Sequence, residues 1–194
     1  MLKTCLVIVL SLLVCSCGKS ADTGDRSMHA SPKISLLGRT YHLASYNQSA
    51  QPNWEFVTDA EDVQNWTTIV TIIDRPDARN RPDLDRLAEG IMANYKSHGG
   101  QILLAKTFPA PEGAYNYLCA AFEEPAKSRF ELNFAKAAMG PKNAYVIVYG
   151  VRVSDPRDYL RKGREYLNLH STEIGIALEK FVLPDLSTFP RKEF

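Results

Sequence analysis

The sequence predicts an α+β domain in which one antiparallel sheet of about six or seven strands is flanked by two helices. Three observations support this fold class. Segments of strand length alternate apolar and polar residues, two longer segments have helical periodicity, and turn-forming residues separate four consecutive strand-like segments. Consecutive strands with short connections pair as an antiparallel meander, and helices packed on one such sheet form an α+β domain.

The strand predictions fall on both sides of the first helix, with three segments before it and four after it. The third segment is the strongest prediction, because β-branched residues dominate it around Ile69. The predicted strands are residues 40–46, 53–58, 65–73, 101–108, 114–122, 129–138 and 144–153. The links between the last four are short and contain glycine or proline, which is typical of turns.

The first helix is predicted to begin at Pro82, because proline is favoured in the first helical turn. Gly99 and Gly100 are expected to end it. Between these limits the apolar residues repeat at helical spacing and form one stripe. The stripe consists of Leu84, Leu87, Ala88, Ile91, Met92 and Tyr95.

The second helix is predicted to open at residues 154–156, where a capping side chain precedes a proline, and to end at Pro184. A break near residues 169–171 is an open alternative to one continuous helix. His170 lies on or beside the apolar stripe of this helix and is expected to be a core or edge residue. Residues 185–194 are expected to form a loose tail.

The N-terminus has the features of a targeting segment. A positive charge at Lys3 precedes a short apolar stretch that ends at Val14, and Ser16 precedes Cys17. The stretch is about half of the roughly 20 apolar residues that a membrane-spanning helix needs. It fits the apolar region of a signal peptide that is cleaved from the mature protein.

These residues resemble the signal peptide and lipobox of bacterial lipoproteins. The resemblance implies cleavage before Cys17, lipidation of its sulfur and amino group, and a lasting membrane anchor. The chain departs from the commonest lipobox at Cys15, where a small residue is usual. Gly18 stands where an aspartate would favour retention in the inner membrane, so the resemblance implies a lipid anchor in the outer membrane, facing the periplasm. An uncleaved apolar anchor and a plain secreted protein remain the alternatives.

The chain therefore divides into a signal peptide (residues 1–16), a lipidated flexible tether (17–33) and a single α+β domain (34–194). The tether is small and polar, so it cannot bury enough apolar surface to fold alone. Loss of residues 1–16 removes Lys3, one of 23 basic residues, and leaves 22 basic against 22 acidic residues. This balance gives no electrostatic reason for nucleic-acid binding.

The order of the predicted elements resembles the PsbP-like fold over most of residues 40–182. The shared order is strands, a helix, four strands and a second helix. The resemblance implies a binding or assembly role, although a fold is weak evidence for a function.

The sequence after Cys17 contains no recognisable catalytic motif. It has no Gly-x-Ser-x-Gly elbow, no glycine-rich phosphate loop with lysine, no His-Glu-x-x-His and no cysteine pair for zinc. Cys119 is the one cysteine that processing and lipidation would leave free, and we expect it to be a small buried hydrophobic residue. The histidines lie in four different elements, at His29, His42, His98 and His170. We therefore predict no enzyme activity, no cofactor and no metal.

Two regions are candidates for binding a partner. The first is an aromatic set, because aromatic residues dominate binding hot spots, although they also dominate cores. Its members are Trp54, Phe56, Trp66, Tyr115 and Tyr117. The second is the basic face of the last helix, which could bind an acidic protein. The alternative is a solvated helix face whose basic residues pair with Asp158 and Glu165. Its members are Arg157, Arg161, Lys162 and Arg164.

The functional hypothesis is a lipid-anchored periplasmic protein that binds another protein and is not an enzyme. Two versions are an immunity protein against an envelope-targeting toxin and an accessory subunit of an envelope secretion or assembly complex. The alternatives are a carrier of an apolar ligand and an envelope hydrolase whose site is assembled only in space. The expected partners are the membrane, through the lipid, and a protein of the envelope, with no nucleic acid.

Overall fold

The computed structural model describes residues 32–110 and 113–189. Within them one antiparallel sheet of eight strands is flanked by two helices, which confirms the predicted α+β class with slightly more strands than expected. The elements are β1 (Lys33–Leu36), β2 (Arg39–Asn47), β3 (Asn53–Val57), β4 (Thr68–Arg75), α1 (Arg81–Ser97), β5 (Gln101–Phe108), β6 (Tyr115–Glu124), β7 (Arg129–Met139), β8 (Ala144–Ser154) and α2 (Tyr159–Glu179).

The strand order across the sheet is β1-β2-β3-β4-β8-β7-β6-β5. Both halves of the chain form antiparallel meanders, and the pairing of β4 with β8 joins them in the middle. The connection through α1 carries the chain from the centre of the sheet to its far edge. Among the described residues, strands β1 and β5 are therefore the two edges of the sheet.

Helix α1 covers one face of the sheet with the predicted apolar stripe. Leu84, Leu87, Ile91 and Tyr95 are buried in one cluster with small side chains of β6 and β7. Asn80 caps the helix, because its side chain accepts a hydrogen bond from the backbone amide of Asp83 (3.0 Å). The opposite face carries the larger core.

Helix α2 packs on that opposite face. Ile174 and Leu178 are fully buried against aromatic and aliphatic side chains of the sheet. The helix is continuous, so the alternative of a break at residues 169–171 is wrong. It begins at Tyr159, later than predicted, because the Asp155 carboxylate accepts hydrogen bonds from the amides of Arg157 (2.8 Å) and Asp158 (2.9 Å) and forms a turn first.

The described end of the chain is not a loose tail. Leu186–Thr188 form a short 3₁₀ turn, and the ring of Phe189 is buried 5.7 Å from Phe56 and 6.2 Å from Trp54. One aromatic residue thus joins this segment to the core. Residues 190–194 lie outside the described residues. At the other end, β1 begins at Lys33, the last residue of the predicted tether.

Candidate functional site

A surface groove of about 410 Å³ lies beside strand β1 and the end of helix α2. We call it the β1–α2 groove. One wall consists of residues 33–37, and the other consists of Ala177, Lys180–Val182 and Pro184. Successive side chains of a strand point to opposite faces of its sheet. Because all four residues of β1 line the groove, the groove runs along the free edge of this strand.

A tight turn places β1 at this edge. Leu37 and Gly38 both have positive φ angles, of 53° and 70°, and they connect β1 to β2. This pattern is typical of a type I′ hairpin, whose twist matches that of the flanking strands. Leu36 and Arg39 flank the two-residue turn and lie opposite each other. In such a hairpin these two residues form a hydrogen-bonded pair.

The same pairing determines which backbone groups of β1 are free. In an antiparallel ladder, hydrogen-bonded pairs occur at every second residue. Ile34 is therefore bonded to β2, and so is Pro32, whose carbonyl accepts from the amide of Leu43 (2.9 Å). Lys33 and Ser35 are the intervening residues. Their N–H and C=O groups point away from β2, at the outer edge of the strand whose residues line the groove.

The second wall is apolar and carries positive charge. Phe181 packs partly against the core, whereas Val182 is 84% exposed. Lys180 caps the end of α2. Lys33 and Lys180 are the only charged residues in the lining, and neither makes an ion pair within the described ranges. The groove thus combines apolar surface, free backbone groups and two ammonium groups.

The predicted basic face of α2 is largely satisfied by its own neighbours. Arg161 contacts the carboxylates of Asp158 and Glu165, each at 2.5 Å. Lys162 contacts Asp155 at 2.5 Å, and this hydrogen bond together with backbone amides lowers the pKa of Asp155 to about 2.

Arg157 and Arg164 are exposed, and neither forms an ion pair among the described residues. The arginines therefore do not converge on one site. The geometry favours the alternative of a solvated helix face.

The predicted aromatic set lies in the interior. Trp54 is 1% exposed and its ring lies 5.2 Å from that of Tyr46. Phe56, Tyr115 and Tyr117 are also buried in the core beneath α2. These side chains cannot reach a partner from their present positions, so their place in the fold favours the core alternative over the binding one.

Trp66 is buried on the other face of the sheet, under a charged residue. The guanidinium of Arg152 lies 3.6 Å from the centre of its ring, and Arg152 Nε donates to Glu131 Oε2 (3.0 Å). Glu131 is 2% exposed and also accepts from Asn133 Nδ2 (3.2 Å). Burial lowers the pKa of Arg152, although Glu131 acts in the opposite direction. Trp66 therefore packs against the arginine of a buried ion pair as a cation–π partner, and it is not an exposed contact residue.

The residues with nucleophilic or metal-binding chemistry are dispersed. Cys119 is buried, and burial raises the pKa of its thiol to about 12. His42 Nδ1 lies 3.1 Å from the Asp59 carboxylate, while His98 ends α1 and His170 lies on α2. In residues 32–110 and 113–189 no group of three or more His, Cys, Asp or Glu side chains could hold a metal ion. Cys17 and His29 lie outside the described residues.

Comparison with protein-family models and with curated proteins gives no match. No protein-family model matches the chain, and no curated protein matches it significantly. In the described part of the chain, no helix combines the length and hydrophobicity needed to cross a bilayer.

The sequence prediction missed the β1–α2 groove because it did not identify β1. Residues 33–36 alternate polar and apolar side chains, and Gly38 follows at a turn position. This pattern was available in the sequence, but it spans only four residues beside a polar segment. The far wall, at residues 177–184, has no sequence feature that indicates a groove.

Proposed function

We propose that this chain is a lipid-anchored protein of the outer membrane that faces the periplasm and binds another protein through the β1–α2 groove. It acts without catalysis, as an immunity protein or as an accessory subunit of an envelope complex. The observation that carries the proposal is the free edge of β1 inside an apolar groove. Backbone N–H and C=O groups at such an edge are complementary to the backbone of another polypeptide.

The position of the groove agrees with a membrane tether. Lipidation of Cys17 would leave about 15 residues before β1, and a flexible chain of that length spans roughly 20 Å. Lys33 is the first residue of β1 and also lines the groove. The tether would therefore hold the groove close to the membrane surface, within reach of another envelope protein.

A carrier of an apolar ligand is the second candidate. The groove volume of about 410 Å³ lies within the range of small-molecule sites, and most of its lining is apolar. An apolar ligand would, however, leave the outward N–H and C=O groups of Lys33 and Ser35 without partners. Because desolvated polar groups without partners are costly, these groups favour a polypeptide.

Site-specific photo-crosslinking in the intact envelope tests the proposal. A photoreactive residue replaces Ser35 in the groove or, as the matched control, Ser97, an exposed serine at the end of α1. We expect one stoichiometric protein adduct from position 35 and none from position 97. Lipid adducts alone at position 35 would favour the carrier, and equal adducts at both positions would contradict a groove-specific partner.

The anchor is tested in the same cells. Mass spectrometry of the mature N-terminus is expected to show a triacylated Cys17, and Cys17→Ser is expected to release the protein from the outer membrane fraction. An intact Met1 terminus on soluble material would overturn the anchor and, with it, the assigned compartment.

A further inference from the structure

We infer that the β1–α2 groove binds an extended apolar segment that carries an acidic side chain, and that this segment adds to the sheet as a ninth strand beside β1. The inference rests on the proposed function, because it assigns a chemistry and a binding mode to the partner at the same groove. Three features of the groove lead to it.

The backbone of β1 provides the first feature. Lys33 and Ser35 each direct one N–H and one C=O away from β2, as the position of the Leu43–Pro32 hydrogen bond requires. Two residues in a strand span about 6.8 Å, which is the repeat of the groups on a paired antiparallel strand. An added strand can therefore bond to both residues without rearrangement of the hairpin.

The far wall provides the second feature. Ala177, Phe181 and Val182 present apolar side chains across the groove from β1. Ile34 and Leu36 point to the core on the same side of the sheet, where α2 packs. Alternate side chains of an added strand would point to this side and cover the exposed part of Val182. The segment should therefore be apolar at every second position.

Charge provides the third feature. Lys33 and Lys180 stand in the two walls of the groove, and the lining contains no acidic residue. Side chains alternate along β1, so Lys33 points to the face opposite Ile34, and the polar positions of an added strand would point to that same face. An acidic side chain at such a position would be attracted chiefly to Lys33, with Lys180 adding a positive charge in the opposite wall, whereas a basic side chain would be repelled. We therefore assign the carboxylate to an aspartate or glutamate within the segment.

The test uses the full mature protein in phospholipid nanodiscs and synthetic peptides of defined sequence. The peptides are nine residues long, with an acetylated N-terminus and an amidated C-terminus, and they alternate valine with threonine. The three peptides differ at one central threonine position, which is replaced by glutamate, glutamine or lysine. Binding is measured by fluorescence anisotropy. We expect the glutamate peptide to bind at least tenfold more tightly than the glutamine peptide, and the lysine peptide to bind most weakly.

Two variants of the protein examine the charge. Lys33→Gln combined with Lys180→Gln is expected to abolish the preference for glutamate, whereas Lys96→Gln, an exposed lysine of α1, should leave it unchanged. Equal affinity for the three peptides, or a preference that survives the double substitution, would overturn the assignment of an acidic segment. The adduct at position 35 would then still support a protein partner, so the two proposals fail separately.

One substitution examines strand addition. Ser35→Pro removes an outward N–H and no hydrogen bond of the β1–β2 hairpin, so we expect roughly a three- to tenfold loss of peptide affinity. Ser35→Ala, which keeps the N–H, should bind the peptide more tightly than Ser35→Pro does. Unchanged binding by a folded Ser35→Pro protein would refute strand addition.

Peptides with N-methyl groups at alternate residues make the same test without altering the protein. A peptide methylated at the residues whose N–H groups face β1 should bind at least tenfold more weakly than the unmethylated peptide. Laurate is the lipid probe, because it combines an apolar chain with a carboxylate. Laurate that displaces the peptide and binds equally well to Ser35→Pro would identify a lipid site instead of a strand-binding site.

Discussion

Helix α2 lies close to strand β7 at Gly163, and replacement of this glycine by alanine tests how the helix is positioned. A Cβ atom there would overlap Cδ1 of Phe130 in β7, and it would lie 2.5 Å from Cγ and 2.9 Å from Cβ of the same residue. The last two atoms are close to the backbone, so rotation of the Phe130 ring cannot remove the overlap. The helix or the strand must move instead.

The expected magnitude follows from two opposing contributions. Alanine is favoured over glycine inside a helix by about 0.8–1 kcal/mol, whereas overpacking a core costs about 1–3 kcal/mol. The contacts at Gly163 are well below normal van der Waals distances, which places this site at the upper end of that range. We therefore expect Gly163→Ala to lower the free energy of unfolding by about 2 kcal/mol and the melting temperature by about 4–8 °C.

Gly175 offers a matched control on the same helix. A Cβ atom there would meet the hydroxyl oxygen of Tyr117 at 3.7 Å and its Cζ at 3.8 Å, which are ordinary contacts. Gly175→Ala should therefore stabilise the protein by about 0.5–1 kcal/mol, through helix propensity alone. Urea unfolding of both variants, with the m-value as a check on two-state behaviour, measures the difference. If Gly163→Ala were as stable as Gly175→Ala, the close approach of α2 to Phe130 would be wrong.

Two further predictions concern buried groups in the sheet. Burial raises the pKa of the Cys119 thiol to about 12, so less than about 0.1% of it is thiolate at pH 8. A disulfide reagent should therefore modify Cys119 at a measurable rate only after the protein unfolds. Rapid modification of the native protein would contradict the burial of this residue. Arg152→Ala should lower the free energy of unfolding by about 3–5 kcal/mol in urea titrations, because the buried carboxylate of Glu131 loses its cation. Adding Glu131→Gln should restore part of that loss, and purely additive effects would show that the two residues do not interact.

Much of the sheet could be predicted from the sequence because alternation determines which side chains face the core. In β7, Phe130 and Phe134 point to the larger core as the pattern indicates. The same pattern marks Glu131 and Asn133 as solvent-facing, yet both are buried. Side chains from other parts of the chain, chiefly Trp66 and Arg152, pack over them. The alternation of residues within β7 cannot predict burial by side chains that are distant in the sequence.

The candidate site could not be predicted because its two walls are about 140 residues apart in the sequence. Neither wall has a pattern of its own that indicates binding. Strand β1 is too short for a firm prediction. Residues 181–184 follow helix α2, which ends at Glu179 and not at Pro184 as the sequence predicts. The predicted arginines and tryptophans were chosen by residue type, and residue type alone does not reveal which of them the fold buries or pairs.

The two edges of the sheet differ in how open they are to strand addition. Strand β5 has a bulge between Ile102 and Leu104, a lysine at position 106 and Pro109 directly after its last residue. Bulges, lysines and prolines at an edge are features that prevent pairing with other chains. Strand β1 also carries a lysine, Lys33, but its pairing with β2 has no bulge and it lies beside an apolar wall. The comparison favours β1 as the edge that accepts a partner.

The shortness of β1 also explains why a membrane anchor would be useful. Only Lys33 and Ser35 offer outward backbone groups, so an added strand makes at most four hydrogen bonds with β1. Each contributes only about 0.5–1.5 kcal/mol net, and much of this is offset by the entropy lost when a flexible segment becomes ordered. The affinity of the groove alone should therefore be modest. Confinement of both partners to the same membrane raises their effective concentration, so a lipid at Cys17 would make this modest affinity sufficient for a stable complex.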